Sequence, residues 1–346
     1  MSQDRHGIAG AGNWIIDHLF ICDRWPREET LSNILDEDRG TGGAPYNCLL
    51  DIARFGPPDG GKPIPLEAVG LTGDDADGEY IRNDCAAHHI DAAALRKIDQ
   101  APTSYTNVMV VQATGRRTFF HNRGANALFG PEHVPVETIR ARLVHVGYLL
   151  LLDRMDEPDE EFGTVAARLL ARFQEAGIET SIDAVSEDSD RFPKIVRPAL
   201  KHTDYAILNE LEAGRTTGHD LKPAGRPDPK AIRASAQDLL DLGVRRLVCI
   251  HMPEGGYVRT KDGQEVWQPS LQLPDGYIKG AAGAGDAFCA GMLYGIHERW
   301  DLDRSLRLAV SAAAKSLSRP GCTEACTNLA DTLALADQFG YQKAVM

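Results

Sequence analysis

The 346-residue sequence predicts an α/β fold: a central, mostly parallel sheet flanked by helices, with a small additional β-sheet. Three observations carry that expectation. From about Leu143 onward, short β-rich runs alternate with longer amphipathic ones, the rhythm of repeated βαβ units. Trp14 to Cys22, and Ser104 to Val111 with Arg117 to His121, carry alternating, β-branched and aromatic residues with no helix between them. Near the C-terminal end, a pair of glycines at 283 and 285 leads at once into helical periodicity.

In chain order, Trp14 to Cys22 opens the small sheet. Leu66 to Leu71 reads as a strand of the main sheet and Gly78 to His89 as the helix that follows it, so both halves of the chain fall into one layered domain spanning 1–346. Ser104 to Val111 and Arg117 to His121 return to the small sheet, whose extent is about 14–40 and 103–125. Leu143 to Tyr148, Glu179 to Asp183, Tyr205 to Leu208 and Arg246 to Ile250 then read as strands. The helices Glu160 to Ala176, Phe192 to Lys201 and Pro229 to Leu242 alternate with them. The stretch His219 to Pro229 is a loop, because Pro223, Gly225, Pro227 and Pro229 interrupt any regular hydrogen bonding.

Composition narrows the function. A 43% hydrophobic chain of this length can bury a large core. Its net charge of -13 argues against nucleic acid or an anionic membrane surface as partner, while a small anionic substrate needs only local donors. Cys22, Cys48, Cys85, Cys249, Cys289, Cys322 and Cys326 share no repeated spacing and read as reduced and buried. The segment from Met1 to Gly12 is polar and glycine-rich, and the apolar run after it is broken by Asp17 and His18. Neither a signal peptide nor an anchor is expected, and a cytoplasmic location follows.

Two nucleotide-site lookalikes fail on their own chemistry. Gly56-Pro57-Pro58-Asp59-Gly60-Gly61-Lys62 has the spacing of a phosphate loop, but its prolines delete NH donors, and Pro63 stands where a magnesium-holding hydroxyl belongs. Gly10-Ala11-Gly12 resembles half a dinucleotide fingerprint, yet a strand, not a helix, follows it. The segment Gly283-Ala284-Gly285-Asp286 is different. Two glycines around one small residue let successive NH groups converge, and the helix that follows adds its positive end, so an anion fits there. A carboxylate beside a bound phosphate costs energy unless it takes a proton from an attacking hydroxyl, which points Asp286 to general-base work in phosphoryl transfer.

Gly283-Ala284-Gly285-Asp286 with its helix resembles the C-terminal signature of the ribokinase-like (PfkB) carbohydrate kinases. Further matches fall in order along nearly the whole chain. Gly42-Gly43-Ala44-Pro45-Tyr46-Asn47, leading into a helix that ends near Phe55-Gly56, is similar to the N-terminal signature. Gly12-Asn13-Trp14-Ile15-Ile16-Asp17 is similar to the strand that carries a sugar-binding aspartate. Val69 to Gly78 echoes the family's strand-turn segment, and Asn209-Glu210-Leu211-Glu212 its Asn-x-x-Glu motif. The resemblance implies a ribokinase-like fold whose small sheet is a lid. It implies ATP and Mg2+ as cofactors and an ATP-dependent transfer of the γ-phosphoryl group to a primary hydroxyl of a small sugar, as in ribokinase or fructokinase. Sugar-acid kinases of the 2-keto-3-deoxygluconate type and nucleoside kinases are the alternatives, and a non-catalytic sugar sensor the rival from another class.

Residue by residue, the resemblance implies Asp286 as base, with Gly283, Ala284 and Gly285 as the anion cradle. Asp17, Gly42, Gly43 and Asn47 would contact the sugar, and Arg123 a sugar acid's carboxylate. Asn209 and Gly256, together with Gly283 and Gly285, would contact the nucleotide, and Glu212 would hold Mg2+ through water. Two departures stand out. Gly280-Ala281-Ala282 replaces the family's Asp-Thr-Thr, which leaves only backbone carbonyls at Gly280 and Ala281 for a monovalent cation such as K+. His251-Met252-Pro253-Glu254-Gly255-Gly256 replaces the usual glycine-rich nucleotide loop, with Gly256 expected to keep its turn. The lid's open strand edges allow a homodimer.

Overall fold

The computed structural model describes residues 5–58 and 61–345; Met1 to Asp4 of the N-terminal segment and Asp59-Gly60 of the phosphate-loop lookalike lie outside them. The chain begins with Ile8–Gly12 (β1), Ile15–Cys22 (β2), Ile34–Gly42 (β3), Ala44–Phe55 (α1), Leu66–Gly73 (β4), Ala76–Ala87 (α2), Ile90–Ile98 (β5), Ser104–Val111 (β6) and Arg117–Asn122 (β7). It continues through Leu143–Leu149 (β8), Asp153–Asp156 (α3), the short ribbon Pro158–Asp159 (β9) and Gly163–Thr164 (β10), Val165–Glu175 (α4), Glu179–Ala184 (β11), Phe192–Leu200 (α5), Tyr205–Asn209 (β12), Glu210–Thr217 (α6) and Pro229–Asp241 (α7). Leu247–Met252 (β13), Gly255–Thr260 (β14), Glu265–Pro269 (β15), Ala284–His297 (α8), Leu302–Ser316 (α9) and Leu329–Phe339 (α10) complete it.

Nine strands form the main sheet in the order β15-β14-β13-β12-β11-β8-β1-β4-β5. From β13 to β5 every pairing is parallel, and β14 and β15 close one edge antiparallel. The strand order turns at β1, between β4 and β8, so the carboxyl ends of these strands open a crevice of the kind where α/β sheets bind ligands. Gly12 closes β1 at φ +123, and a Cβ there would lie 2.2 Å from the Gly147 carbonyl oxygen. Only glycine lets the chain leave the sheet at that point.

What leaves is the small sheet, ordered β3-β2-β6-β7 over the crevice, with β2 and β6 parallel and the outer pairs antiparallel. Trp14 anchors its root: the ring is fully buried, and Nε1 donates to the Val69 carbonyl of β4 at 2.9 Å. The flap regions read from the sequence do pair as one sheet, with β3 as a strand that the reading passed over. Ile34, Leu35 and a run of charged residues are exposed along β3, so no buried alternation marks it.

Three expectations need correction. The helix expected from Glu160 starts at Val165, because Asp159 accepts from the NH groups of Glu161 and Phe162, Gly163 takes φ +86, and Thr164 then caps α4 by accepting from Ala167. The Gly10–Gly12 segment, read as a failed fingerprint, belongs to the inner strand β1, between β8 and β4. The turn expected at Gly256 is made by Pro253 and Glu254 instead, and Gly256 sits in β14 opposite His251, where a Cβ would come within 2.6 Å of the Phe288 ring. Two apolar cores cover the sheet, one under α4, α5, α6 and α7 and one under α1, α8, α9 and α10. Among the described residues, no helix is long and apolar enough to cross a membrane.

Candidate active site

A cleft of about 450 Å³ lies between the small sheet, the carboxyl ends of β8, β11 and β12, and the start of α8. Asp17, Tyr148, Asp183, Asn209, Gly285 and Asp286 all contribute to its wall. Its floor is the N-terminus of a 14-residue helix that no side chain caps. The first NH groups of any helix lack intrahelical acceptors, so this end presents donors to the cleft. Gly283 makes the entry possible in the left-handed region at φ +73, where a Cβ would strike the Cys322 carbonyl oxygen at 2.5 Å. Gly285 is exposed at the cleft surface.

Asp286 stands in the first turn of α8 and is 7% exposed. The Tyr148 hydroxyl donates to one carboxylate oxygen and the Asn47 amide to the other, each at 2.7 Å. Burial pushes its pKa up to about 6, against those two hydrogen bonds, which favour the charged form. The carboxylate is therefore aimed, and its proton affinity lies close to neutrality, as a general base requires.

Asp17 sits on β2 at the root of the small sheet. Burial raises its pKa to about 6 as well, with the Thr106 hydroxyl and Arg117 working the other way. Gly42 lies directly against it, since a Cβ at 42 would be 2.9 Å from Asp17 Oδ1. Gly43 precedes α1 at φ +92 and packs on Asn13. Asn47, one turn into α1, accepts from the Thr41 hydroxyl at 2.7 Å and spends its amide on Asp286. The structure thus brings Asp17, Gly42, Gly43, Asn47, Gly283, Gly285 and Asp286 to one cleft, with Ala284 as the first residue of α8.

Asn209 and Glu212 reach the far end of that cleft as a reciprocal cap on α6. The Asn209 side chain accepts from the NH groups of Leu211 and Glu212, and Glu212 accepts from the Asn209 NH at 2.9 Å. Ser186 donates to the same carboxylate at 2.8 Å. Burial raises the Glu212 pKa to about 8, and nearby Asp183 and Glu210 add to that. Arg123 and Gly256 stand apart from the cleft wall. Arg123 pairs with Asp153 at 2.9 Å and borders a shallow groove outside β7, and Gly256 packs on Phe288.

Sequence reasoning missed Tyr148 and Asp183. Both end strands that it had drawn, Leu143 to Tyr148 and Glu179 to Asp183, so the rule that ligands gather at strand carboxyl ends was the signal available. It also missed His145, Cys48 and Cys289, which lie just beneath Asp286.

A buried carboxylate poised near neutrality at an uncapped helix start, sharing one cleft with a second, half-buried carboxylate, is an arrangement suited to a phosphotransferase that activates a hydroxyl. The model of the pfkB family of carbohydrate kinases matches residues 10–329, and the chain belongs to that family. It is 25% identical to an ATP-dependent ribose-1-phosphate kinase of Halopiger xanaduensis over 96% of this chain and 98% of that one. It is 27% identical to a fructokinase of Klebsiella pneumoniae over 79% and 83% of the two chains. The ribokinase of Arabidopsis thaliana complexed with ribose and ATP superposes with a TM-score of 0.74 at 19% identity, covering 96% and 98% of the chains. A putative ribokinase II from E. coli in complex with ATP and Mg2+ gives 0.75 at 16% identity, covering 96% and 99%. These likenesses establish the ribokinase-like fold.

Proposed function

We propose that the enzyme transfers the γ-phosphoryl group of ATP to a primary hydroxyl of a small sugar bound between the small sheet, acting as a lid, and the main sheet. The observation that carries this reading is Asp286: a buried carboxylate with a pKa of about 6, held by Asn47 and Tyr148 at the open start of α8. As the sugar oxygen attacks the γ-phosphorus, Asp286 takes the hydroxyl proton, the bond to the bridging oxygen breaks and ADP leaves. The NH groups at Ala284, Gly285 and Asp286 face the charge that develops on the transferring group. Asp17, Gly42 and Gly43 would orient the sugar. Asn47 touches the base, so its role is to aim the carboxylate as much as to bind substrate.

Asn209 and Glu212 fit a nucleotide-bound Mg2+. The elevated Glu212 pKa reflects burial and clustered carboxylates, and a divalent cation would relieve that clustering through a water shell. Such an ion supplies charge neutralisation at the phosphates. A monovalent cation would rest on the carbonyls of Gly280 and Ala281 alone, which rates in potassium against sodium would test. The ATP requirement and the free cysteines fit a cytoplasmic setting. Trp25, Leu31, Ile34, Leu35, Phe119 and Phe120, each at least half exposed on the small sheet and its loop, favour a homodimer through the lid, measurable by light scattering.

A second reading, a sugar bearing an anionic group, rests on Arg117. It lines a recess with Asp17 and Cys322, whereas Arg123 is engaged with Asp153. One experiment serves both: ATP-dependent ADP release across ribose, ribose 1-phosphate, fructose, 2-keto-3-deoxygluconate and adenosine. Asp286→Asn is expected to keep ligand binding and lose turnover by roughly 10²- to 10⁴-fold. Undiminished turnover in that variant would remove Asp286 from the base role, and ligand binding with no turnover in the wild type would favour the sensor.

A further inference from the structure

Directly behind the base lies a group of side chains that phosphoryl transfer does not use. Cys48 on α1, His145 on β8 and Cys289 on α8 are all buried, and each offers one ligand atom within 4.8 Å of the others. Cys289 Sγ lies 3.7 Å from His145 Nε2, and Asp183 Oδ2 on β11 lies 3.6 Å from that same nitrogen. The other oxygen of Asp183 is buried without a hydrogen-bond partner. A buried carboxylate with one oxygen unpaired, and its other oxygen beside the imidazole of a two-thiol cluster, is costly unless something charged completes the group.

We propose that Cys48, Cys289 and His145 form a binding site for one thiophilic divalent cation of the zinc class, with Asp183 turning in as the fourth ligand of a tetrahedron. Bond lengths of about 2.3 Å to sulfur, 2.05 Å to nitrogen and 2.1 Å to oxygen set the edges of such a tetrahedron at about 3.6 Å for S···N and about 3.4 Å for N···O. The observed 3.7 Å between Cys289 Sγ and His145 Nε2 matches the first of these edges, and Asp183 Oδ2, 3.6 Å from the same nitrogen but outside the three-ligand cluster, would reach the fourth position by side-chain rotation. The outer shell fits as well. His145 Nδ1 is 3.1 Å from the Ser181 hydroxyl, an arrangement that fixes the ring and leaves Nε2 for the metal.

Loading the site releases two protons to solvent as the two sulfur–metal bonds form. One of them is the Cys48 thiol proton, which otherwise bridges to the Asp286 backbone carbonyl at 3.3 Å. The four ligands come from α1, β8, β11 and α8, and three of these elements also carry Asn47, Tyr148 and Asp286. A bound ion therefore cross-links the frame of the base from beneath. Cys289 and Asp183 also line the substrate cleft, which gives the ion a route in.

The test is a Co2+ titration of the reduced, chelator-treated wild-type chain, read by absorption. The expected result is saturation at one equivalent with a thiolate-to-cobalt charge-transfer band, removal of that band by one equivalent of Zn2+, and a rise in melting temperature on loading. Cys48→Ser with Cys289→Ser should abolish the band, Asp183→Asn should weaken binding about tenfold or more, and Cys85→Ser should leave it intact. The wild-type titration decides the matter even if the double variant fails to fold: no band, or cobalt bound without thiolate character, overturns the proposal. So does a band that survives in a folded double variant.

Discussion

Removing the Tyr148 hydroxyl should move the pH dependence of turnover while leaving the chemistry in place. In Tyr148→Phe, Asp286 loses the donor at 2.7 Å on one oxygen and keeps Asn47 on the other. A hydrogen bond to a charged group contributes about 1.5–3 kcal/mol, and 1.36 kcal/mol corresponds to about one pKa unit. The carboxyl pKa, about 6 with both donors, should therefore rise by roughly 1–2 units. Because the base must be deprotonated, the acidic limb of kcat against pH moves up by the same amount. At pH 7 the active fraction falls from about 0.9 to about 0.5–0.1, a loss of roughly two- to tenfold that vanishes near pH 9. The assay is coupled ADP release from pH 5 to 9.5. A pH-independent loss, with the limb unmoved, would refute both the assignment of Asp286 as base and the role of Tyr148 in tuning it.

Other perturbations have equally definite outcomes. Gly283→Ala forces a left-handed backbone and a Cβ against the Cys322 carbonyl, so it should cost about 1–3 kcal/mol from the backbone alone and weaken ATP use; chemical denaturation and KM for ATP check it. Burial raises Asp17 and Asp286 to about 6 and Glu212 to about 8, above the 3.8 and 4.5 ordinary for these carboxyls. Each group then holds its proton more tightly in the folded state than in the unfolded one. The associated stability is fully present below about pH 4 and is lost as pH rises through 6 to 8. The melting temperature of the ligand-free protein should fall over that range, and Asp286→Asn should flatten part of the fall; scanning calorimetry measures both.

The α/β rhythm after Leu143 was legible because buried parallel strands and amphipathic helices each leave a distinct period, and those strands appear where they were drawn. The glycine cradle and its aspartate were legible because φ +73 and an uncapped helix start demand unusual residues. What escaped was set by tertiary contact. The exposed strand β3 carries no alternation of buried residues, and β14 was hidden by the assumption that Gly256 made a turn. Tyr148, His145 and Asp183 look like ordinary strand residues until β8 and β11 lie side by side with α8. Arg123 shows what sequence position alone leaves open: its guanidinium pairs with Asp153 and lies outside the cleft wall.

The hydrogen bonds around Asn47 tie two parts of the machine that are usually considered separately. Thr41, near the end of β3 in the small sheet, donates to Asn47, and Asn47 donates to Asp286. The small sheet over the cleft and the carboxylate proposed as the base are thus joined through one amide. Under the proposed mechanism, a small sheet displaced from the cleft would slacken that amide's hold on the carboxylate and leave Tyr148 as the remaining donor.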